Sequence, residues 1–185
     1  MRIATLGPAG SNHELVANRY LYRHAQKQGD IMLYTAFEDA FEALLANSVD
    51  YVLQCSAHPE HGNCVGRYMH RAFPVDAFIA GSKPLAIIAR ASVDTPKTLA
   101  LQPATRFYTD LSQYEALIEK PSIVNVSQGL LNGEYDAGIC ALEVQAQNPQ
   151  QLRVVKELGP ALDTWVVFGR APLPHTDSRV YSANQ

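Results

Sequence analysis

The stretch that decides the fold is ATLGPAGSNHELVANRY, residues 4–20. An apolar run ends at Gly7, and a helical pattern begins soon after Gly10. This order predicts a strand at residues 2–6, a glycine loop, and a helix at residues 11–25. Backbone N–H groups at a helix start favour negative charge, so the loop is a candidate anion site. Alternatively, the glycines only form a turn and the serine that follows only caps the helix.

Composition excludes several classes of protein. The 185 residues are 47% hydrophobic and 18% charged, which is typical of a folded domain rather than a disordered chain. A net charge of −3 argues against nucleic acid as the main partner, since phosphate binding needs a basic face. No apolar run approaches about 18 residues, so neither a membrane span nor a signal peptide is predicted. Three cysteines are too few for a disulfide framework and fit a reducing cytoplasm, where we expect the protein to act.

Strand and helix patterns alternate along the chain and start again near Thr95. Such alternation predicts an α/β fold with two lobes of mostly parallel sheet and flanking helices. In the second run, the pattern predicts helices at 108–119 and 128–132 and a strand at 122–126. Ligands of such folds bind at the carboxyl ends of the strands, so we expect a ligand cleft between the lobes.

Polar and glycine residues follow several of the predicted strands. They suit a small carboxylate ligand, because they are rich in hydrogen-bond donors and poor in general bases; ordinary N-capping is the alternative for each. Arg106 is a candidate cation for a second carboxylate, or a solvated surface residue. Besides Arg106, the candidate binding residues in these loops are Gly10, Ser11, Asn12, Gln102, Thr105, Ser127 and Gln128.

The loop CSAHPEHGNC, residues 55–64, has several interpretations. His58, His61 and Cys64 are zinc-ligand types, but the chain has no second Cys/His cluster to complete a structural site, so we expect no metal. Cys55 and His58 are also candidates for a nucleophilic pair. We favour a loop that lends Ser56 and His58 as polar groups to the cleft; an exposed, histidine-rich turn is the alternative.

The segment DTWVVFGR, residues 163–170, contains the only tryptophan of the chain. Trp165 lies in an otherwise apolar run, so it is a core residue or an aromatic wall of the ligand site. Thr164 directly precedes it at the predicted start of a strand.

These stretches together resemble the catalytic domain of the prephenate dehydratases. GPAGSNHELVA is similar to that family's opening GPxGTxS signature, and FEDAFEALLANSVDYVLQ to its second helix and third strand. QPAT stands where the family has a Ser-His-Pro-Gln segment, and VSQGLLNGEYDAGICAL where it has a Ser/Thr-Ala-rich helix and a small-residue strand.

The resemblance covers residues 2–170 and implies a type 2 periplasmic-binding-protein-like fold with prephenate in the cleft. It also implies that the last strand returns to the first lobe. The expected division is a first lobe of residues 1–91 plus 160–170, a second lobe of residues 92–159, and a loose C-terminal tail at 171–185.

Two departures separate this chain from the dehydratases. Their Thr-Arg-Phe segment, with a catalytic threonine and a substrate-binding arginine, corresponds to Thr164, Trp165 and Val166, so the hydroxyl remains and the arginine is missing. Their Pro-x-Glu-Asn-Ser loop is replaced by CSAHPEHGN. The prephenate decarboxylases of the bacilysin type also lack the dehydratase motif, and their terminal Ser-Trp-x-x-Phe-Gly is similar to residues 164–169.

This second resemblance implies a small-carboxylate lyase that removes CO₂ from prephenate, or a close cyclohexadienyl acid, without aromatising the ring. His58 and Thr164 are then the proton-handling candidates, and no cofactor is implied. The alternatives are a dehydratase-like hydro-lyase, a lyase acting on another small carboxylate, and a non-catalytic binding or regulatory protein with the same cleft. We expect a small-molecule carboxylate as partner, neither nucleic acid nor membrane, and exposed sheet edges favour a homodimer.

Overall fold

The apolar and polar periodicities of the sequence correspond to short strands and helices over most of the chain that the structure describes. The computed structural model describes residues 1–25 and 28–181. The strands are β1 (Arg2–Leu6), β2 (Asp30–Tyr34), β3 (Tyr51–Cys55), β4 (Phe73–Gly81), β5 (Leu85–Arg90), β6 (Thr98–Leu101), β7 (Ala116–Glu119), β8 (Ala137–Ala141), β9 (Leu152–Gly159) and β10 (Leu162–Gly169). The helices are α1 (Asn12–Ala25), α2 (Phe37–Leu45), α3 (His61–Tyr68), α4 (Ile123–Leu131) and α5 (Glu143–Gln147), with a 3-10 turn at Pro103–Thr105. In the described part of the chain, no helix is long and apolar enough to cross a bilayer.

The chain divides into two compact units. The first comprises Met1–Ala9, His13–Ala80 and Asp163–Gln185, and the second comprises Gly10–Asn12 and Gly81–Leu162. The structure therefore places the division before β5, rather than after residue 91, because β5 pairs with β8 and β9 of the second sheet.

The first sheet has the strand order β2-β1-β3-β10-β4. β1 runs parallel to β2 and β3, and β10 returns to this sheet antiparallel to β3, so the expected return of the last strand is confirmed. One face packs against α1 and the other against α2 and α3. α2 buries Phe37, Ala40, Phe41 and Leu44, whose spacing of three and four residues forms one apolar stripe.

The second sheet has the order β7-β6-β8-β5-β9. β6 is parallel to β7 and β8, whereas β5 is antiparallel to both of its neighbours. Both sheets are thus mixed, with a parallel half that continues into antiparallel strands. The expected α/β architecture of two sheets with flanking helices is confirmed.

Three predicted elements of the second unit are wrong. Residues 108–119 do not form a helix; they form turns and then β7, which pairs in parallel register with β6 from Thr98 opposite Ala116. The predicted strand at 122–126 and helix at 128–132 are one helix, α4. The Ser122 side chain caps α4 by accepting from the Asn125 N–H.

Arg179 anchors the described part of the C-terminal segment to β4, where its guanidinium also lies 3.7 Å from the Asp76 carboxylate. The Arg179 guanidinium donates to the Val75 carbonyl at 2.9 Å and is held by Asp177. Residues 182–185 of the expected tail lie outside the described residues.

Candidate functional site

Three helices begin after the parallel strands of the first unit. β1 leads to α1, β2 to α2 and β3 to α3, and parallel strands end at the same edge of a sheet. The first-turn N–H groups of a helix have no partner within the helix and favour negative charge. Neither Ala36 before α2 nor Glu60 before α3 makes a side-chain cap hydrogen bond. This edge of the sheet therefore carries donors suited to an anion.

Four aromatic side chains pack at this edge, and we call them the ring cluster: His13, Phe37, His58 and Trp165. The His13 ring centroid lies 5.5 Å from that of Phe37, 5.8 Å from that of His58 and 5.1 Å from that of Trp165, all edge-on. Phe37 and His58 are also in edge contact, at 5.0 Å. His13 is in the first turn of α1, Phe37 opens α2, and His58 lies in the turn before α3.

The polar atoms inside the ring cluster are poorly satisfied. Nε2 of His13 and Nε1 of Trp165 are buried without a hydrogen-bond partner among the described residues. Burial, and secondarily the neighbouring His58, lowers the pKa of His13 from 6.5 to about 3. His13 is therefore neutral at pH 7. Buried polar atoms without partners are uncommon in folded proteins, and each calls for an explanation such as a catalytic role or a bound partner.

His58 is held in one orientation by the backbone. Its Nδ1 accepts a hydrogen bond from the Glu60 N–H at 3.2 Å, so in the neutral ring the hydrogen is on Nε2. Burial lowers the pKa of His58, His61 lowers it further, and the charge of Glu60 opposes both. His58 thus presents an N–H donor from an uncharged ring.

Thr164 and Ser56 meet beside the ring cluster through the backbone. The Thr164 carbonyl accepts from the Ser56 N–H at 2.9 Å and from the Ser56 hydroxyl at 3.0 Å. Both residues are exposed, whereas Trp165, on the opposite face of β10, is buried. Of the predicted residues of the first unit, His58 and Trp165 thus belong to the ring cluster, whereas Ser56 and Thr164 are joined to each other through the Thr164 carbonyl.

The cysteines of the 55–64 loop lack the character of nucleophiles. Cys55 is buried, and burial raises its pKa to about 11, so it is a neutral thiol. The pKa of Cys64 is also raised, by burial. His61 Nδ1 lies 3.0 Å from Oε1 of the fully buried Gln54. Over residues 1–25 and 28–181, no group of three or more His, Cys, Asp or Glu side chains is arranged to hold a metal ion.

Asp163 is a titratable group near the ring cluster that sequence reasoning did not select. It lies two residues before Trp165 on β10, and so on the same face of the strand. Burial raises the pKa of its carboxyl group.

The glycine loop that precedes α1 is grouped with the second unit. Gly10 has a φ of +83°, which favours glycine, and Ser11 is buried. The side-chain oxygen of Asn12 accepts from the Lys83 N–H at 3.0 Å.

The other predicted binding residues of the second unit are mostly engaged in local turns. The Gln102 side chain caps the 3-10 turn by accepting from Ala104 N–H, and the buried Thr105 hydroxyl donates to the Gln102 carbonyl. Arg106 is exposed, 3.5 Å from Glu119.

Ser127 and Gln128 do not open a helix, contrary to the prediction, because they lie inside α4. The Ser127 hydroxyl donates to the carbonyl of Val124 within the helix, and Gln128 is exposed.

Sequence reasoning missed His13 and Phe37. Each lies within the first two residues of a helix that follows a parallel strand. That position was the available signal, since first-turn side chains project at the edge of the sheet where ligands bind.

Solved structures share this fold along most of the chain. A prephenate dehydratase from Arthrobacter aurescens in complex with L-Phe matches with a TM-score of 0.66 and 18% identity, over 94% of this chain and 63% of that one. An ABC transporter from Parabacteroides distasonis matches with a TM-score of 0.59 and 14% identity, over 96% of this chain and 67% of that one. The periplasmic VFT2 domain of BvgS from Bordetella pertussis matches with a TM-score of 0.54 and 13% identity, over 90% of this chain and 80% of that one.

These likenesses show a two-lobed, periplasmic-binding-protein-like fold. The chain spans less than two thirds of the dehydratase chain. No protein-family profile and no curated protein sequence matches it.

Proposed function

We propose that the protein is a small-carboxylate lyase that removes CO₂ from prephenate, or a close cyclohexadienyl acid, without aromatising the ring. The observation that carries this proposal is the ring cluster: four uncharged rings packed where three helices begin. The fold likeness to a prephenate dehydratase and the resemblance of residues 164–169 to the decarboxylases support the same substrate.

The ring cluster suits an unsaturated carboxylic acid on physical grounds. Helix starts attract the anion, while Phe37 and Trp165 offer flat surfaces to a ring. In the unliganded protein none of the four side chains is cationic at pH 7. A carboxylate held against Phe37 and Trp165 loses hydration, and this cost is relieved when the group leaves as neutral CO₂.

The proposed reaction balances with one bond broken and one proton added. The bond between the ring carbon and the carboxylate breaks, CO₂ leaves, and the electron pair enters the ring diene. A ring carbon then takes up a proton and the 4-hydroxyl is retained. Because the diene accepts the electron pair, this step needs no cofactor as an electron sink.

His58 is the proposed proton source. In the proposed step His58 is the cation, with a hydrogen on each ring nitrogen and without the hydrogen bond that its Nδ1 accepts from the Glu60 N–H in the neutral state. Nε2 gives its proton to the substrate carbon, Nδ1 keeps the other hydrogen, and the histidine ends neutral. Low pKa makes the protonated ring a strong acid, and a bound dianion raises that pKa again by favouring the charged form. We therefore expect kcat to fall with rising pH at a higher pKa than kcat/KM does.

A set of four variants tests these roles. His58→Gln keeps a polar side chain without a titrating group, and we expect its kcat on prephenate to fall at least 100-fold, a typical contribution of general acid catalysis. His70→Gln, at an exposed histidine of the same unit, is the matched control and keeps wild-type kcat. Asp163→Asn tests the other acid near the cluster, and Thr164→Val tests the hydroxyl. Loss of turnover in Asp163→Asn, with His58→Gln fully active, contradicts the assignment of His58.

A binding protein with the same fold is the second candidate. It is favoured by the low pKa of His58, which leaves little of the protonated acid at pH 7. It predicts saturable binding of prephenate with no product, and a thermal shift that rises with ligand concentration. For either function we propose a cytoplasmic protein that acts on a small molecule.

A further inference from the structure

Strand β2 forms one edge of the first sheet, so only β1 lies beside it. The Asp30 N–H donates to the Met1 carbonyl at 3.0 Å and thus points toward β1. Backbone groups of successive strand residues point to opposite sides, so those of Ile31 and Leu33 point away from β1. Within the described part of the chain, nothing is hydrogen-bonded to these outward groups. β2 therefore presents a free row of backbone donors and acceptors.

The side chains along this edge are apolar. From Ile31 to Tyr34 the strand has neither a charged residue nor a proline. Met32 and Leu33 are 37% and 36% exposed. Sheet edges of natural proteins usually carry charges, prolines or a covering segment, which prevent pairing with another chain. β2 lacks such charges and prolines, so its edge is suited to pair with a further strand.

The opposite edge of the same sheet, β4, is protected by the chain itself. Pro74 is the second residue of β4, and the Arg179 guanidinium donates to the Val75 carbonyl at 2.9 Å. The Asp76 carboxylate accepts from the Ala77 N–H, also at 2.9 Å. Two backbone groups of β4 are thereby bonded to side chains instead of to a strand.

The edges of the second sheet are protected by charge. β9 contains Arg153, Lys156 and Glu157, and β7 ends at Glu119. Among the four edge strands of the described sheets, β2 is thus the one that combines free backbone groups with exposed apolar side chains.

The contrast between β2 and β4 favours a second copy of this chain as the partner. If both edges were open, β2 of one copy could pair with β4 of the next, and such head-to-tail contacts continue into a filament. The protection of β4 prevents this. Pairing of β2 with β2 about a two-fold axis uses the open edge of both copies and closes at two chains.

The residues of β2 fit antiparallel self-pairing with the axis at Met32. Ile31 then lies opposite Leu33 of the second copy, and their outward backbone groups form hydrogen bonds. The two Met32 residues face each other as a non-hydrogen-bonded pair, with about 4.5 Å between their Cα atoms. Asp30, the one charged residue of β2, lies opposite Tyr34 of the second copy. The two Asp30 residues are about 13 Å apart along the strands, beyond the Debye length at physiological salt.

We propose that the protein forms a two-fold dimer in which the β2 strands of two copies pair antiparallel and join their first sheets into one continuous sheet. This proposal names the edge and the register of the homodimer. It concerns assembly and does not depend on the proposed reaction.

The test is sedimentation velocity of the full chain at increasing concentration. We expect a monomer–dimer equilibrium with a Kd on the order of 10 µM, because a pair of five-residue strands makes a small interface. A wild-type protein that is still monomeric at roughly tenfold above that concentration overturns the proposal, and leaves the edge to a strand of another protein.

Substitutions at Met32 locate the interface. Met32→Lys places two like charges opposite each other across the axis, so we expect association at least tenfold weaker than in wild type. Met69→Lys makes the same change at an exposed methionine of the same unit and keeps the wild-type Kd. Urea unfolding checks that both variants are folded. A dimer that survives Met32→Lys, or is lost in Met69→Lys, overturns the assignment to β2.

A mixture of two variants tests the register. Met32→Glu alone should also associate at least tenfold more weakly than wild type. In an equimolar mixture of the Met32→Lys and Met32→Glu chains, opposite charges meet across the axis, and a dimer with one chain of each should return. A mixture that stays monomeric overturns the pairing of Met32 with itself. Recovery in the mixture also separates lost pairing from lost folding.

Arg179→Ala tests why assembly stops at two chains. The variant frees the Val75 carbonyl of β4, so we expect species larger than the dimer at high concentration. An Arg179→Ala protein that forms nothing larger than the dimer overturns the role given to Arg179.

Discussion

His13→Phe should remove a large part of the pH dependence of stability. In the folded protein the pKa of His13 is about 3, against 6.5 for the free side chain. A depressed folded-state pKa stabilises the protein above pH 6.5, and this stabilisation is lost as pH falls toward 3. From pH 7 to pH 5 the contribution of His13 to the free energy of unfolding falls by about 2 kcal/mol. At pH 5 His13 is protonated almost completely in the unfolded chain, whereas in the folded protein it remains neutral.

The magnitude is measurable by urea unfolding at pH 7 and pH 5. A change of about 2 kcal/mol shifts the midpoint by roughly 1 M urea in a domain of this size. The phenylalanine keeps ring contacts with Phe37 and Trp165 and carries no buried nitrogen, so we expect the variant to fold. His58 and His61 add to the acid sensitivity of both proteins, so the difference between wild type and variant isolates His13.

An exposed histidine supplies the control. His70→Gln should leave the wild-type pH dependence intact. If His13→Phe loses as much stability as wild type between pH 7 and pH 5, His13 is not buried as a neutral ring and the account of the ring cluster is incorrect.

Three further substitutions test the packing and the charges of the fold. Gly138→Ala should destabilise the protein by about 1–3 kcal/mol, since its Cβ would lie 2.5 Å from a methyl carbon of the buried Val126; an unchanged urea midpoint contradicts this. Gly66→Ala, in α3 with open space around its Cβ, should stabilise by about 0.5–1 kcal/mol in the same assay; a loss of stability contradicts it. Asp136→Asn should cost about 2 kcal/mol at pH 7, because its carboxylate accepts from two backbone N–H groups and from Arg90. Because the pKa of Asp136 is lowered in the folded protein, the difference in unfolding free energy between wild type and Asp136→Asn should shrink below pH 4. A difference that stays constant with pH contradicts hydrogen bonds to an ionised carboxylate.

The pattern of apolar and polar residues predicts an element correctly wherever it agrees with the pairing and packing of that element in the folded chain. The glycine loop correctly placed β1 and α1, and the apolar stripe of residues 36–46 correctly placed α2. Residues 108–119 have helix-forming composition, yet pairing with β6 makes their last four residues a strand. Tertiary contacts override propensity there, and a single sequence carries little information about such pairing.

The candidate site was only partly accessible from the sequence. Residue type alone marks His58 and Trp165 as candidates, whereas the sequence pattern indicates only that His13 lies in a helix and that Phe37 lies on the apolar stripe of the next helix. Only three-dimensional packing places these two rings against His58. Conversely, the sequence pattern predicts a helix opening at Ser127, and the structure buries this residue inside α4.

The most direct test of the proposed reaction is the identity of the product formed from prephenate. Purified protein and prephenate are incubated and followed by ultraviolet absorbance, with mass spectrometry of the product. The account predicts a product that has lost CO₂ and kept the 4-hydroxyl oxygen, without the spectrum of an aromatic ring. Phenylpyruvate, which has lost water as well, or prephenate left at its uncatalysed rate of decay, would contradict it.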